Sequence, residues 1–140
     1  MKEIRTLPEA EVISRWAELY AAGKHKGYAK PNPDQYVGRD ATWVEVEVPH
    51  HLYDADWNTD DPSLSPAQQK RAEEYAATPG SLPPGIAGYK AQRARRGTRT
   101  LYVSDGNHRA YAAFLRGSPT ARFYVPQSEW RRFVQVQEET

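Results

Sequence analysis

The sequence has 140 residues, which is enough for one hydrophobic core and too few for two, so we expect a single domain over residues 1–140. Its 19 Lys and Arg residues nearly balance 18 Asp and Glu residues, and the net charge of +1 excludes an overall field that would demand nucleic acid or an anionic membrane. Cysteine is absent, which excludes disulfides, zinc–thiolate sites and a cysteine nucleophile. No apolar run approaches about 20 residues, and the start carries acids where a signal peptide is apolar. A cytoplasmic protein without membrane contact is therefore expected.

The N-terminal region, residues 1–41, is predicted to be a helix followed by a loop. Between residues 6 and 23, apolar side chains recur at helical spacing before a glycine that offers a stop: Val12, Ile13, Trp16, Leu19 and Tyr20. The following residues have no period and are rich in turn formers. Residues 42–49, TWVEVEVP, then alternate strictly, with three valines on one face and Trp43, Glu45 and Glu47 on the other. This alternation predicts a half-exposed strand.

Residues 50–64, HHLYDADWNTDDPSL, have no period and predict a loop with two histidines and four aspartates. Asp54 and Asp56 are its candidates for a catalytic general base or a metal ligand, with His51 behind them. The alternative is a solvated acidic loop whose imidazoles pack on Trp57. Two adjacent histidines without a third ligand are a poor metal signature, so no zinc site is predicted here.

A helix and then a hairpin are predicted for residues 65–104. Ser65, Pro66 and Gln68 have the pattern of an N-cap, a first-turn proline and a capping-box glutamine. Two strands follow, at residues 84–91 and 99–104, joined by a turn around Arg96.

The turn of this hairpin is strongly basic, with five cations in ten positions: Lys90, Arg93, Arg95, Arg96 and Arg99. A basic hairpin can lie along a nucleic-acid backbone, which makes Arg93, Arg95 and Arg96 the candidate nucleic-acid contacts. The alternative is a solvated tip whose charges protect an edge strand from pairing with other chains.

The segment LYVSDGNHRAYAAFLRG, residues 101–117, is predicted to be a short strand, a polar turn and a helix that ends at Gly117 in its C′ position. The turn aims backbone N–H groups and the positive end of the helix dipole at one point, which suits a phosphate or another anion. A strand at residues 120–126 and a last helix close the chain. The expected fold class is therefore α+β, a small mixed β-sheet with surrounding helices.

Four residues of this turn, Gly106, Asn107, His108 and Arg109, are the candidate ligand-binding residues. Gly106 allows a positive φ, His108 can donate to an oxyanion and is a candidate catalytic group, and Arg109 can hold two phosphate oxygens. Asp105 would repel phosphate unless a cation lay between them, which makes it a candidate Mg²⁺ ligand. The alternative is structural, with Asp105 or Asn107 capping the helix and Gly106 making the turn.

Residues 42–126 contain seven features in a fixed order. These are the alternating strand, the polar loop, a helix with the sequence RAEEYA, the segment LPPGIAGY, the hairpin, the DGNHR turn and a last strand, ARFYVP. This order resembles the ParB/sulfiredoxin-like superfamily, which includes ParB N-terminal-like nuclease domains. The resemblance implies that residues 42–126 form the core, and the spacing of Trp130, Phe133 and Val134 predicts a C-terminal helix and tail over residues 127–140. It also implies that the turn binds the phosphates of a nucleotide such as ATP or CTP, with Mg²⁺ as a further candidate. Tyr102 and Tyr111 are the aromatic residues to test for contact with a base or sugar.

Departures from the superfamily pattern narrow the implied function. Sulfiredoxins place a nucleophilic Cys directly before the His-Arg pair, where this chain has Asn107, so sulfinic acid reduction is not expected. Chromosome-partitioning members add DNA-binding and dimerisation domains, whereas about fourteen residues follow Pro126, so that role is not expected either. The first expectation is a nucleotide- or phosphate-binding module. The alternatives are a nucleotide-dependent small-molecule kinase, a metal-dependent nuclease, and a nucleic-acid- or protein-binding accessory factor that works without a ligand.

Overall fold

The structure is a computed structural model that describes residues 1–21, 38–55, 57, 65–90 and 99–139. Within these ranges the chain forms a six-stranded mixed β-sheet and four α-helices, which confirms the predicted α+β class and mixed sheet. The same ranges contain no helix with the length and apolar character needed to cross a membrane.

The elements follow one another in the order β1 (Lys2–Pro8), α1 (Glu9–Ala21), β2 (Thr42–Pro49), β3 (Tyr53–Asp54), α2 (Pro66–Ala77), β4 (Gly85–Gly88), β5 (Leu101–Asp105), α3 (Asn107–Leu115), β6 (Thr120–Pro126) and α4 (Gln127–Glu138). A single 3₁₀ turn, His50–Leu52, joins β2 to β3. The helices predicted near residues 8, 66, 107 and 127 are all confirmed.

The strands lie in the order β1-β2-β6-β4-β5-β3 across the sheet. The pairs β1/β2, β2/β6 and β4/β5 are antiparallel, while β4/β6 and β3/β5 are parallel. The antiparallel pairing of β4 with β5 confirms the two predicted hairpin strands. Both are shorter than predicted at the end that faces the turn, while β5 runs one residue further, to Asp105. The residues that join them, 91–98, lie outside the described part of the chain.

Strand β2 occupies exactly the predicted residues, but the prediction that it is half exposed is wrong. Trp43 is fully buried and Glu45 is 2% exposed, although both were assigned to the exposed face. The strand has neighbours on both sides in the sheet, and Glu45 forms ion pairs with Arg5 of β1 and Arg122 of β6. These cations compensate the carboxylate for its loss of water, so an apparently exposed face can be buried.

Two strands were not predicted from the sequence. β1 lies where only a helix and loop were expected, and its side chains are exposed apart from Leu7. An edge strand exposed on both faces has no alternation of apolar and polar residues to reveal it. β3 consists of two residues within the predicted loop, and its parallel pairing with β5 defines it.

Two hydrophobic clusters lie on opposite faces of the sheet. One packs the three valines of β2 with Trp130 and Phe133 of α4. The other packs Trp43 of β2 with Val12 and Trp16 of α1. Because successive side chains of a strand point to opposite faces, β2 contributes to both clusters. As a result, α1 and α4 cover opposite faces of the sheet.

The ends of two helices have the predicted chemistry. Ser65 and Gln68 form a complete capping box at the start of α2, with Pro66 in its first turn. At the end of α3, Gly117 has φ +77°, and the N–H groups of Gly117 and Ser118 donate to Phe114 O and Ala113 O. These two hydrogen bonds form a Schellman motif, which ends α3 four residues before β6 returns the chain to the sheet.

Candidate phosphate-binding site

The DGNHR turn lies at the junction of β5 and α3, as predicted. β5 ends at Asp105, α3 begins at Asn107, and Gly106 is the N-cap between them with φ +87°. A glycine cannot cap the helix with a side chain, so the chain passes from strand to helix without an N-cap side chain. The predicted left-handed conformation of Gly106 is confirmed.

Gly106 is packed against a second glycine, Gly85, at the start of β4. A Cβ atom added to Gly106 would lie 2.7 Å from Gly85 Cα, and one added to Gly85 would lie 2.6 Å from the carbonyl oxygen of Asp105. Both positions therefore exclude a side chain. The last residue of the LPPG segment, Gly85, is thus held directly against the turn.

Arg109, in the first turn of α3, is 4% exposed. Its Cζ atom lies 4.8 Å from the centre of the Trp16 ring, in a cation–π contact. The guanidinium also lies beside Gly106, because a Cβ atom built on that glycine would be 3.0 Å from Arg109 Nη2. Trp16 of α1 and the paired glycines thus hold a buried cation next to the N-terminus of α3.

Two cavities adjoin Arg109. The larger, of about 290 Å³, is lined by Leu19 of α1, Tyr75 of α2, residues 78–83 and the α3 arginines Arg109 and Arg116. The smaller, of about 170 Å³, shares residues 81–83 and both arginines, and is bounded on its other side by residues 120–122 of β6. Arg109 and residues 81–83 therefore lie between the larger cavity, whose lining is mostly apolar, and the smaller cavity, whose lining is more polar.

Arg116, the C-cap residue of α3, lies two turns after Arg109 and lines the same cavities. It donates to the carbonyl oxygens of Tyr75, Ala76, Thr78 and Gly80. These oxygens lie at the C-terminal end of α2, where a positive charge is favourable. Arg116 therefore joins the end of α3 to the end of α2 and shapes the larger cavity.

Asp105, Asn107 and His108 are partly buried around the turn. The Oδ1 atom of Asp105 accepts a hydrogen bond of 3.0 Å from the N–H of Gly106, so the carboxylate faces the turn. In the described part of the chain, no group of three or more His, Cys, Asp or Glu side chains is arranged to hold a metal ion. The predicted role of Asp105 in binding Mg²⁺ thus depends on ligand oxygens for the remaining coordination.

The catalytic candidate Asp54 lies at the other end of β5. Its carboxylate is 4% exposed and accepts a 2.6 Å hydrogen bond from the hydroxyl of Thr100. Asp54 is in register with Tyr102, three residues before Asp105, which corresponds to a separation of about 10 Å along the strand. Asp56 lies outside the described residues. The structure therefore does not bring Asp54 to the turn.

The loop after β3 does reach α3. The ring of Trp57 stacks on Tyr111 at 5.1 Å with an interplanar angle of 9°, and His50 packs edge-on against Trp57 at 5.7 Å. The ring nitrogens of His50 bond to the Tyr53 hydroxyl at 2.6 Å and to Ser118 O at 2.8 Å. His50 thus has the structural role proposed for the imidazoles, and Tyr111 already has an aromatic partner.

The remaining predicted residues lie away from the turn or outside the described part. Tyr102 accepts a hydrogen bond from Arg39 through its hydroxyl. Arg93, Arg95 and Arg96 lie outside the described residues.

Sequence reasoning missed two parts of the site. The contact of Trp16 with Arg109 joins elements far apart in the chain, and no local pattern indicates it. The close approach of Gly85 had a weak signal, because a Pro-Pro-Gly sequence places a residue without a side chain at the start of a strand.

Compared with known proteins, the chain matches no family model, no curated protein sequence and no solved structure. The resemblance to the ParB/sulfiredoxin-like superfamily therefore stays a prediction.

Proposed function

We propose that the chain is a nucleotide-binding module that holds the phosphates of its ligand at the β5–α3 turn, in a ParB/sulfiredoxin-like arrangement of sheet and helices. The observation that carries the proposal is the placement of Arg109, whose buried guanidinium lies beside Gly106 at the N-terminus of α3. The guanidinium and the positive end of the helix dipole both favour an oxyanion at this point.

The conformation of the turn supports an anion at the start of α3. The positive φ of Gly106 turns the chain sharply from β5 into the helix, so that the first N–H groups of α3 lie beside Arg109. Asn107 and His108 follow at the first two helical positions, where their side chains and N–H groups can donate to phosphate oxygens.

The larger cavity supports a nucleotide rather than free phosphate. Its volume of about 290 Å³ is close to the lower end of the range of about 300–1,000 Å³ that small-molecule sites occupy. Its lining is mostly apolar and includes Tyr75 and Leu82. A base or sugar placed there would leave the phosphates at Arg109, which borders the same cavity.

Asp105 is the residue of this turn that would hold Mg²⁺. A hard cation takes oxygen ligands, and Mg²⁺ is commonly bound by one or two carboxylates together with ligand phosphates and water. The ion would neutralise the repulsion between Asp105 and the phosphates.

The proposal includes no catalytic step. A general base must lie within hydrogen-bond reach of the proton that it removes, directly or through one water. Asp54 is bonded to Thr100 and lies about 10 Å along β5 from Asp105. Binding is therefore the function that the geometry supports best.

Calorimetric titration tests the proposal. ATP, CTP, their monophosphates and inorganic phosphate are added to the protein with and without Mg²⁺, and the same series is repeated with Arg109→Met. Methionine keeps an apolar stem against Trp16, while the charge is removed. Loss of a charge-assisted contact costs about 1.5–3 kcal/mol, so nucleotide affinity should fall roughly tenfold to more than a hundredfold.

Lys70→Met is the matched control, because it removes one exposed cation from α2 and should leave the affinity unchanged. A thermal melt of each variant verifies that it is folded. The proposal is wrong if the wild-type protein binds no nucleotide at millimolar concentration, or if folded Arg109→Met binds as the wild type does.

Asp105→Asn tests the metal separately. A Mg²⁺ ligand at Asp105 would make part of the nucleotide affinity depend on Mg²⁺, and Asp105→Asn should abolish that part. As a cap, its replacement would change little, because asparagine caps a helix about as well as aspartate.

A further inference from the structure

The wall of the larger cavity is built mainly from one short segment, residues 78–83, which we call the strap. Tyr75 and the six residues of the strap make up seven of the ten residues that line this cavity. Residues 78–81 are exposed to solvent, and residues 81–83 also line the smaller cavity. Access to both cavities therefore depends on the position of the strap.

The two ends of the strap are held in different ways. Its C-terminal end runs into Pro84 and Gly85, which are buried, and a Cβ atom added to Gly85 would lie 2.6 Å from the carbonyl oxygen of Asp105. Two consecutive prolines with fixed φ add to the rigidity of this end. The N-terminal end continues from α2, whose single buried residue is Ala72. Few buried contacts thus oppose a movement of the N-terminal end.

A side chain from α3, Arg116, fastens that N-terminal end. Its guanidinium donates to four carbonyl oxygens, those of Tyr75, Ala76, Thr78 and Gly80. All four hydrogen bonds are exposed to solvent. Because water replaces an exposed hydrogen bond at a small net cost, these bonds can break and form again while the rest of the fold stays intact.

The opposite wall of the larger cavity is packed more firmly. Arg109 is 4% exposed and lies against Trp16, which is 1% exposed. In the strap, by contrast, Gly80 has φ +95°, and a Cβ atom added to it would meet nothing within 4 Å. The strap is therefore the side of the cavity that has room to move.

We propose that the strap is a movable cover of the larger cavity and that Arg116 is its latch. With the four hydrogen bonds formed, the strap encloses the space beside Arg109. When they break, the N-terminal end of the strap moves away from α3 about its fixed end at Gly85, and a ligand enters or leaves. As regulation of the nucleotide site, this inference rests on the proposed function, although the movement itself needs no ligand.

Thiol labelling tests the latch without a ligand, because the chain has no cysteine of its own. Leu82→Cys places one thiol on the strap, at a residue that lines both cavities. Adding Arg116→Met removes the donors of the latch, so an aromatic disulfide reagent should label this thiol about tenfold faster or more. Loss of a nearby cation by itself slows the reaction of a thiol, so faster labelling reports movement of the strap.

Arg116→Lys is the conservative variant. Lysine keeps the positive charge but replaces the planar five-donor group by a single ammonium, which cannot hold four separate carbonyl oxygens. The labelling rate of Leu82→Cys should therefore lie between those measured with arginine and with methionine at residue 116.

Two further thiols are the controls. Ala17→Cys, on an exposed residue of α1, should be labelled at the same rate with and without Arg116→Met. Ala87→Cys, fully buried in β4, reports opening of the whole fold and should stay unreactive in both. Two outcomes would overturn the latch: no acceleration at Leu82→Cys, or an equal acceleration at Ala87→Cys.

The labelling experiment and the nucleotide titration fail independently. If the wild-type protein binds no nucleotide, the proposed function is wrong, and the labelling rates still decide whether Arg116 holds the strap. If the labelling rate of Leu82→Cys does not depend on Arg116, the latch is wrong, and the affinity of Arg109→Met still decides whether the turn binds nucleotide.

Discussion

Helices α3 and α4 both begin directly after a strand, but their N-termini are built in opposite ways. At α4, Pro126 is the N-cap, and a carboxylate from elsewhere in the chain, Asp40, accepts a 2.8 Å hydrogen bond from the N–H of Ser128. At α3, Gly106 is the N-cap, and the buried charge beside it is the cation Arg109.

This difference is the reason that the ligand site is proposed at α3 and not at α4. The positive end of a helix is stabilised by an anion, and α4 has a permanent one in Asp40. At α3 the guanidinium adds to the positive potential of the helix end, and two cavities adjoin it. The α4 junction thus has a hydrogen-bonded carboxylate from another part of the chain, whereas the α3 junction has a buried guanidinium beside two cavities, and the ligand site is proposed there for that reason.

The largest effect that we expect is from Gly106→Ala. The left-handed backbone costs a residue with a side chain about 1–2 kcal/mol, and the clash with Gly85 Cα at 2.7 Å adds about 1–3 kcal/mol of overpacking. Gly117→Ala is the control at the other end of α3, because its φ is +77° but an added Cβ would meet nothing within 4 Å. Urea unfolding should show a clearly larger loss for Gly106→Ala, and equal losses would contradict the close approach of the two glycines.

Glu129→Gln should have the next largest effect, on the α4 junction. The Glu129 carboxylate accepts hydrogen bonds from Arg39 Nη2 at 2.9 Å and from the N–H of Tyr89 at 2.9 Å. Because the pair is mostly buried, removing the negative charge should lower the free energy of unfolding by about 1.5–3 kcal/mol. Glu138→Gln, at the exposed end of the same helix, should change it by less than about 0.5 kcal/mol. Similar values for the two variants in urea would show that the ion pair contributes nothing.

A smaller effect is expected for Asp40→Ala. Loss of a helix N-terminal acceptor typically costs about 1 kcal/mol, and Asp40→Asn, which keeps an oxygen acceptor, should cost less. Thermal melts measure both. Nucleotide affinity should be the same in both variants as in the wild type, since the α4 junction takes no part in the proposed site. A loss of nucleotide affinity that accompanies the loss of stability would contradict the distinction between the two junctions.

The smallest effect concerns acid pH. The N–H of Gly38 lowers the pKa of Glu9 below its ordinary value of 4.5, and the N–H of Ser128 lowers the pKa of Asp40 below 3.8. On acidification, the unfolded chain therefore binds protons at these two carboxylates before the folded protein does. The stabilisation of the folded state is present above the ordinary pKa values and is lost as the pH falls through the lowered pKa values of the folded protein. In Glu9→Gln/Asp40→Asn, the urea midpoint should vary less between pH 5 and pH 3 than in the wild type. An identical dependence would show that these carboxylates do not contribute to it.

Local sequence patterns determined those features that depend only on residues a few positions apart. The capping box of Ser65, the left-handed glycines at residues 106 and 117, and the position of the DGNHR turn between a strand and a helix were all predicted correctly. Each follows from the chemistry of one residue and its near neighbours in the chain.

Only the tertiary structure decided what surrounds these features. β1 is recognised by its pairing with β2, and the burial of Glu45 depends on Arg5 and Arg122 from two neighbouring strands. In the same way, Trp16 and Gly85 come from other elements to enclose Arg109, so the pattern DGNHR could indicate an anion site without revealing the cavities beside it. The physical reason is that ion pairing, cation–π contact and close backbone packing depend on distance in space, and no period in the sequence records which distant residues meet.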